Sequence, residues 1–280
     1  MNNLYWSIRR ELWENRSIYL GPLIVGGIVL FGFFLGLAKL PAQVRAANPD
    51  NLHQVIENHY VVGAIILMAT QLVVSIFYCL DALYGERRDR SILFWKSMPV
   101  SDVTTVLSKM LVPVLVLPLL TWAITVTTQA VMLSLSGVVL SANGLDASLV
   151  SSHLSLAGIA WYNFGHLVAF HGLFYAPLYA YLLLVSAWAT RVPFLWAALL
   201  PVGLMVVERI AFNSRTVATL LQSLFVGGPE PAGGVPGMTM EMMAPRMGDF
   251  LLGPGLWIGL AVSAVLLAGA VRLRRSRGVI

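Results

Sequence analysis

The sequence predicts an all-α integral membrane protein: six transmembrane helices preceded by an amphipathic helix at the interface. Three observations predict this class. Hydrophobic residues make up 58% of 280 positions and charged residues only 11%, with a mean hydropathy of +0.79. A soluble domain carries about a quarter charged residues, so this chain lacks the polar surface to face water all round. Six apolar stretches also reach the roughly 20 residues that a helix needs to cross a bilayer, and none alternates like a barrel strand. Finally, thirteen of the eighteen Lys and Arg fall on one set of alternating connections. That asymmetry puts both termini in the cytoplasm of a multi-pass protein of the inner (plasma) membrane. The net charge of +5 is thus read through topology, and no nucleic-acid partner is expected.

The whole chain, residues 1–280, reads as a single transmembrane domain. Residues 1–17 form the interfacial helix: Leu4, Ile8 and Leu12 recur at helical spacing between Trp6 and Trp13. Arg9, Arg10, Glu11 and Glu14 fall mainly opposite, which suits a helix lying at head-group level as an anchor. The spans are about 18–40, 60–84, 106–134, 164–190, 194–211 and 254–271. The first is longer than the apolar core of a signal peptide and is expected to remain in place. The fifth is short and ends on Glu208–Arg209. Residues 136–158 read as a Ser- and Gly-rich outer connection. The outer loop 212–253 opens with an amphipathic or re-entrant helix marked by Val217, Leu220, Leu221 and Leu224, followed by "GPEPAGGVPG" and "MTMEMMAPRM".

Sequence signatures of soluble chemistry are missing. The chain has no phosphate-binding loop, no Gly-x-Ser-x-Gly elbow and no His-Glu-x-x-His, so no catalytic residue is assigned. Cys79 is the only cysteine and sits in an apolar run. His166 and His171 share a helix but lie about 140° apart around it, a poor chelate. Met238, Met240, Met242 and Met243 could offer soft thioethers to Cu(I). With no His or Cys beside them, they read instead as adaptable apolar cover, and no metal site is assigned.

Polar residues inside spans are costly and therefore mark candidate sites. Gln71 and Ser75 in the second span, Thr125 and Gln129 in the third, and Tyr175 and Tyr179 in the fourth are candidates for a translocation path. No span carries an acid or base near its middle, which argues against coupling to an ion gradient.

The cytoplasmic loop 85–105 is different. "GERRDR" is followed at once by "SILFW" and "SMPVSD". Asp89 is expected to cap a short helix that Pro99 ends, and Ser101 to cap the next. Ile92, Leu93, Phe94 and Trp95 point at successive 100° steps and leave no polar side. One face can pack on the chain's own spans. The other needs a protein partner, with Glu86, Arg87, Arg88 and Arg90 as its rim. The plainer alternative is an interfacial turn resting on lipid head groups.

Glu86–Arg87, Ser91–Ile92–Leu93, Ser97–Met98–Pro99–Val100–Ser101 and Lys109, set after a second span, resemble the permease subunits of type 2 ABC transporters. The topology resembles them over most of the chain. The resemblance implies that this loop is a coupling helix docking on a separate P-loop ATPase, present in two copies and supplying the ATP and Mg chemistry. It also implies a homodimer or a pairing with a similar permease, with the path between second and fifth spans of the two halves. The chain would then be the permease of an ATP-driven exporter and no enzyme by itself. The Met-rich outer segment departs from the family pattern. A polytopic membrane enzyme or a non-ATP secondary transporter is the alternative.

Overall fold

The computed structural model describes residues 3–47, 49–146, 155–219 and 251–276, with side chains omitted for residues 3, 49–56, 58 and 59. Every regular element among them is helical. In order they are α1 (Asn3–Glu14), α2 (Ser17–Gly36), a 3-10 turn (Leu37–Lys39), α3 (Leu40–Ala46), α4 (Pro49–Ala82), α5 (Tyr84–Arg88), α6 (Ser91–Ser97) and α7 (Asp102–Leu111). There follow a π-helical segment (Val112–Val116), α8 (Leu117–Ala142), α9 (Leu156–Phe164), a second π segment (Gly165–Phe174), α10 (Ala176–Trp188), α11 (Pro193–Phe212) and α12 (Pro254–Ser276).

Five of the helical stretches are long and apolar enough to cross a membrane. They are Ser17–Ala46, Tyr60–Arg88, Asp102–Ala142, Pro193–Phe212 and Pro254–Ser276. A sixth results if Leu156–Phe174 and Ala176–Trp188, bent by 46°, form one span. The outward surface is what such helices require. Ile24, Ile28, Phe31 and Phe34 on α2, Ile65 and Phe77 on α4, and Val206, Val207 and Ile210 on α11 are all exposed. An apolar surface this continuous is expected against lipid.

α4 is the central post and packs against α2, α8 and α10, while α12 lies along α10. The core has two ends. Ile18, Cys79, Leu83, Val106, Leu117, Tyr179 and Leu183 fill the end near both termini. Leu37, Leu40, Tyr60, Met132, Leu140 and Ile159 fill the other. Ala64, Met68 and Leu167 lie in a small cluster of their own.

The structure corrects several expectations. The third span runs on to Ala142, so Ser136 lies in helix, buried against the Tyr60 hydroxyl at 2.9 Å, instead of in a loop. The fourth span is neither straight nor uniform. It starts at Leu156, capped by Ser155, and is broken at Tyr175. Its π segment packs on the π segment Val112–Val116, whose Pro113 cannot donate a backbone hydrogen bond. The two backbones come close enough that a Cβ on Gly172 would run into the Val114 carbonyl oxygen. Asp89 does not cap α6: Arg90, in the left-handed region at φ 60°, holds the N-cap position, and Asp89 pairs with Arg88 at 2.9 Å. That hydrogen bond holds the Asp89 carboxyl below its ordinary pKa. Ser101 does cap α7, accepting from the Thr104 N–H at 3.1 Å. Most of the outer loop, including Met238, Met240, Met242 and Met243, lies outside the described residues.

Candidate functional site

At the end of the bundle nearest both termini, four separate elements bring charge into the interior. α1 contributes Arg10 and Glu11, α5 contributes Glu86, α7 contributes Asp102 and Lys109, and α12 contributes Arg274. Glu11 is fully buried. Its Oε1 accepts from Lys109 Nζ at 2.8 Å and from Arg10 at 2.7 Å, and its Oε2 accepts from the Tyr78 hydroxyl at 2.9 Å. Glu86 Oε1 lies 3.1 Å from Lys109 and 3.2 Å from Arg10, while its Oε2 is held by Arg274. Arg274 Nε then donates to Asp102 at 3.0 Å.

Three carboxylates thus meet three cations. The balance explains how the charges survive burial: each carboxylate has at least one close cation, and Glu11 also accepts a neutral hydroxyl. Burial works against the Arg10 charge, but Glu11, Glu14 and Glu86 outweigh it and keep its pKa above the ordinary value. One position of α1 is corrected here: Glu11, expected on the polar side, is buried. Ser7 and Glu11, one turn apart, form the buried side, while Trp6 and Trp13 are exposed and flank Arg9 in cation–π contact at 5.2 and 4.8 Å.

The short helix α6 sits on this cluster. Ile92 is buried, and the Trp95 ring lies under the Arg10 guanidinium at 3.9 Å. Leu93 and Phe94 are 61% and 58% exposed, with Met98 and Pro99 beside them. The expectation of one face inward and one outward therefore holds for α6, but its membership changes. Glu86, Arg87 and Ile92, read from sequence as part of the partner face, are turned into the chain. Arg88, Arg90, Leu93, Phe94 and Pro99 remain on the surface, and Met98 joins them.

Arg87 has a different task. Its guanidinium donates to the carbonyls of Ser186, at 2.9 Å, and Ala189, satisfying the last turn of α10 where a cation is favourable. Ser186 completes the joint. Its hydroxyl donates to the Leu80 carbonyl at 2.8 Å and accepts from the Leu83 and Tyr84 N–H groups at 3.1 and 2.9 Å. One buried serine thus bridges the gap between α4 and α5. Ser186→Ala is expected to cost about 1–3 kcal/mol because the two N–H groups stay buried without their acceptor. A thermal unfolding midpoint equal to that of wild type in detergent would contradict this role.

The candidates for a translocation path lie elsewhere. Gln71, Ser75, Thr125, Gln129 and Tyr179 are all but fully buried and Tyr175 nearly so, inside the chain. Gln129 accepts from Asn163 at 2.7 Å, and Tyr179 donates to the His171 carbonyl at 3.0 Å. Thr125 bonds back to the carbonyl of Thr121, one turn earlier, at 2.8 Å. Both amide atoms of Gln71 are buried without a partner. These residues form a buried polar seam inside the chain.

Comparison with family models, with curated proteins and with solved structures returns no match. The functional reading therefore rests on the site itself. Among the described residues no group of His, Cys, Asp and Glu is arranged to hold a metal ion.

Sequence reasoning missed Arg10, Glu11, Asp102 and Arg274 as site residues and used Lys109 only for orientation and as a motif position. One signal was available: Lys109 stands eight positions into a helix that goes on to span length, where an ionisable group needs a specific partner.

Proposed function

We propose that the chain is the transmembrane permease subunit of an ATP-driven exporter of the type 2 ABC class, working with a separate P-loop ATPase. The observation that carries this reading is the outward apolar face of α6. Leu93 and Phe94 stand exposed on a seven-residue helix at the end of the bundle, with Met98 exposed just past its end, rimmed by Arg88 and Arg90. That end carries most of the Lys and Arg, so the positive-inside rule puts it in the cytoplasm, where a bare aromatic face calls for a protein partner. Behind the face lies the means of transmission. Trp95 touches Arg10, and Arg10 touches Glu11 and Glu86. Those carboxylates hold Lys109 and Arg274, which belong to the third and last spans. A push on α6 would reach α1, the third span and α12 together. ATP and Mg belong to the partner, and the permease acts as a dimer. No covalent chemistry is assigned to this chain.

The test uses the tagged full chain purified from membranes with its associated ATPase. Leu93→Asp with Phe94→Asp is expected to remove co-purifying ATP hydrolysis while the chain stays inserted and monodisperse. Trp95 is left intact because its ring supports Arg10. Undiminished, chain-dependent ATPase activity in the double variant would remove the coupling role of α6.

A further inference from the structure

We propose that the open cavity lined by α4, α10, α11 and α12 binds the hydrocarbon tail of an anionic phospholipid, whose head group is held at Arg191. The proposal needs only the membrane reading of the chain and stands whether or not the chain moves cargo. The cavity measures about 650 Å³ and is walled by Ile76, Pro177, Tyr181, Pro201, Met205 and Leu266, among others. This volume falls within the roughly 300–1,000 Å³ of small-molecule sites. Among the described residues of the lining, Tyr181 supplies the only side-chain hydroxyl, and it already donates to the Ala197 carbonyl at 3.1 Å. The walls offer a ligand nothing polar, so the part that enters is hydrocarbon.

The slot is built at both ends. At one, Phe194 stacks on Phe77 with ring centroids 6.5 Å apart. At the other, the Glu208 carboxylate accepts from the Ser214 hydroxyl and from the N–H groups of Thr216 and Val217, at 2.6, 2.6 and 2.8 Å. That cap folds the chain back and sets Val217 into the cavity wall. α11 has no buried residue, and eight of its residues, from Phe194 to Met205, line this slot.

The Phe194 end adjoins a polar mouth. Residues 189–192 join α10 to α11, and Arg191 stands exposed there without an ion pair to any described residue. Trp188 and Trp196 meet edge to face at 5.0 Å and, with Ala189 and Thr190, line a second cavity of about 210 Å³. Trp196 precedes Ala197 of the first cavity, so the two openings are neighbours on one helix. A Trp pair, a hydroxyl and an exposed guanidinium at the mouth of an apolar slot match an anionic head group above a chain.

The test reconstitutes the full chain in phosphatidylcholine vesicles carrying a trace of phosphatidylglycerol with a diazirine in its tail. After irradiation, labelled peptides are mapped by mass spectrometry. Labelling is expected to be several-fold richer on residues 177–182 and 197–205 than on the exposed apolar face of α2. Unlabelled phosphatidylglycerol should compete and phosphatidylcholine should not. Ala198→Trp, or Met205→Trp if the first variant does not fold, should abolish the enrichment while α2 labelling is unchanged. Arg191→Gln should bring the two lipids to equal competition. Even labelling of all lipid-facing helices, or enrichment that survives the filled cavity, overturns the proposal. Capture of a second copy of the chain in the slot overturns it as well. Unaltered lipid preference in Arg191→Gln overturns the head-group assignment.

Discussion

Lys109→Met is expected to destabilise the chain by about 3–5 kcal/mol, the cost of removing one partner from a buried ion cluster. Lys109 is 2% exposed and lies between Glu11 and Glu86, at 2.8 and 3.1 Å. Without it two carboxylates face each other in the interior with one cation fewer. Methionine keeps the volume and the apolar stem, so lost packing contributes little. The companion double variant Lys109→Met with Glu11→Gln restores charge balance and should recover part of the loss. Thermal unfolding of the purified single and double variants checks both expectations. A single variant as stable as wild type would mean that the cluster does not hold α1 and the third span together.

Gly172→Ala is expected to have an effect of similar size for a different reason. The obstacle to a Cβ at this position is the carbonyl oxygen of Val114, a backbone atom inside a helix, which cannot swing aside as a side-chain tip can. The two π segments must then separate, or one must lose its extra residue per turn. Overpacking of this kind costs typically 1–3 kcal/mol where neighbours can adjust, and more where backbone must move. Gly158→Ala, where the nearest atom is a Ser155 side chain at 3.6 Å, is the matched control. The yield of folded protein and the unfolding midpoint should fall for Gly172→Ala alone. Equal behaviour of the two variants would show that the third and fourth spans do not meet at this glycine.

The spans were legible because lipid imposes one simple demand, an uninterrupted apolar run about a bilayer long. That demand is visible residue by residue, and α2, α11 and α12 appear close to where the sequence puts them. The break at Tyr175 was not legible. A π segment keeps the same apolar composition as an α-helix and differs only in the register of its hydrogen bonds. The outward face of α6 was half legible. A four-residue apolar run on a short helix must divide into inner and outer sides, but one-dimensional spacing does not say which residue meets the spans. Ile92 and Trp95 took the inner side because Arg10 and the ends of the bundle lie there.

The charges show the limit most clearly. In the sequence Arg10, Glu86, Arg87 and Arg274 count toward orientation or toward a partner's rim, each read singly. In the fold Arg87 closes a helix end, and the other three join Glu11, Lys109 and Asp102 in one cluster. By itself the sequence determined that this chain is helical, lies among lipids and presents an apolar helix beside a basic stretch, because solvent preference is a property of each residue. Only the tertiary structure decided which charges are spent inside the chain and which are left for others. A buried charge is tolerated only beside its counterion, and here the partners Glu86 and Arg274 stand 188 positions apart in the sequence.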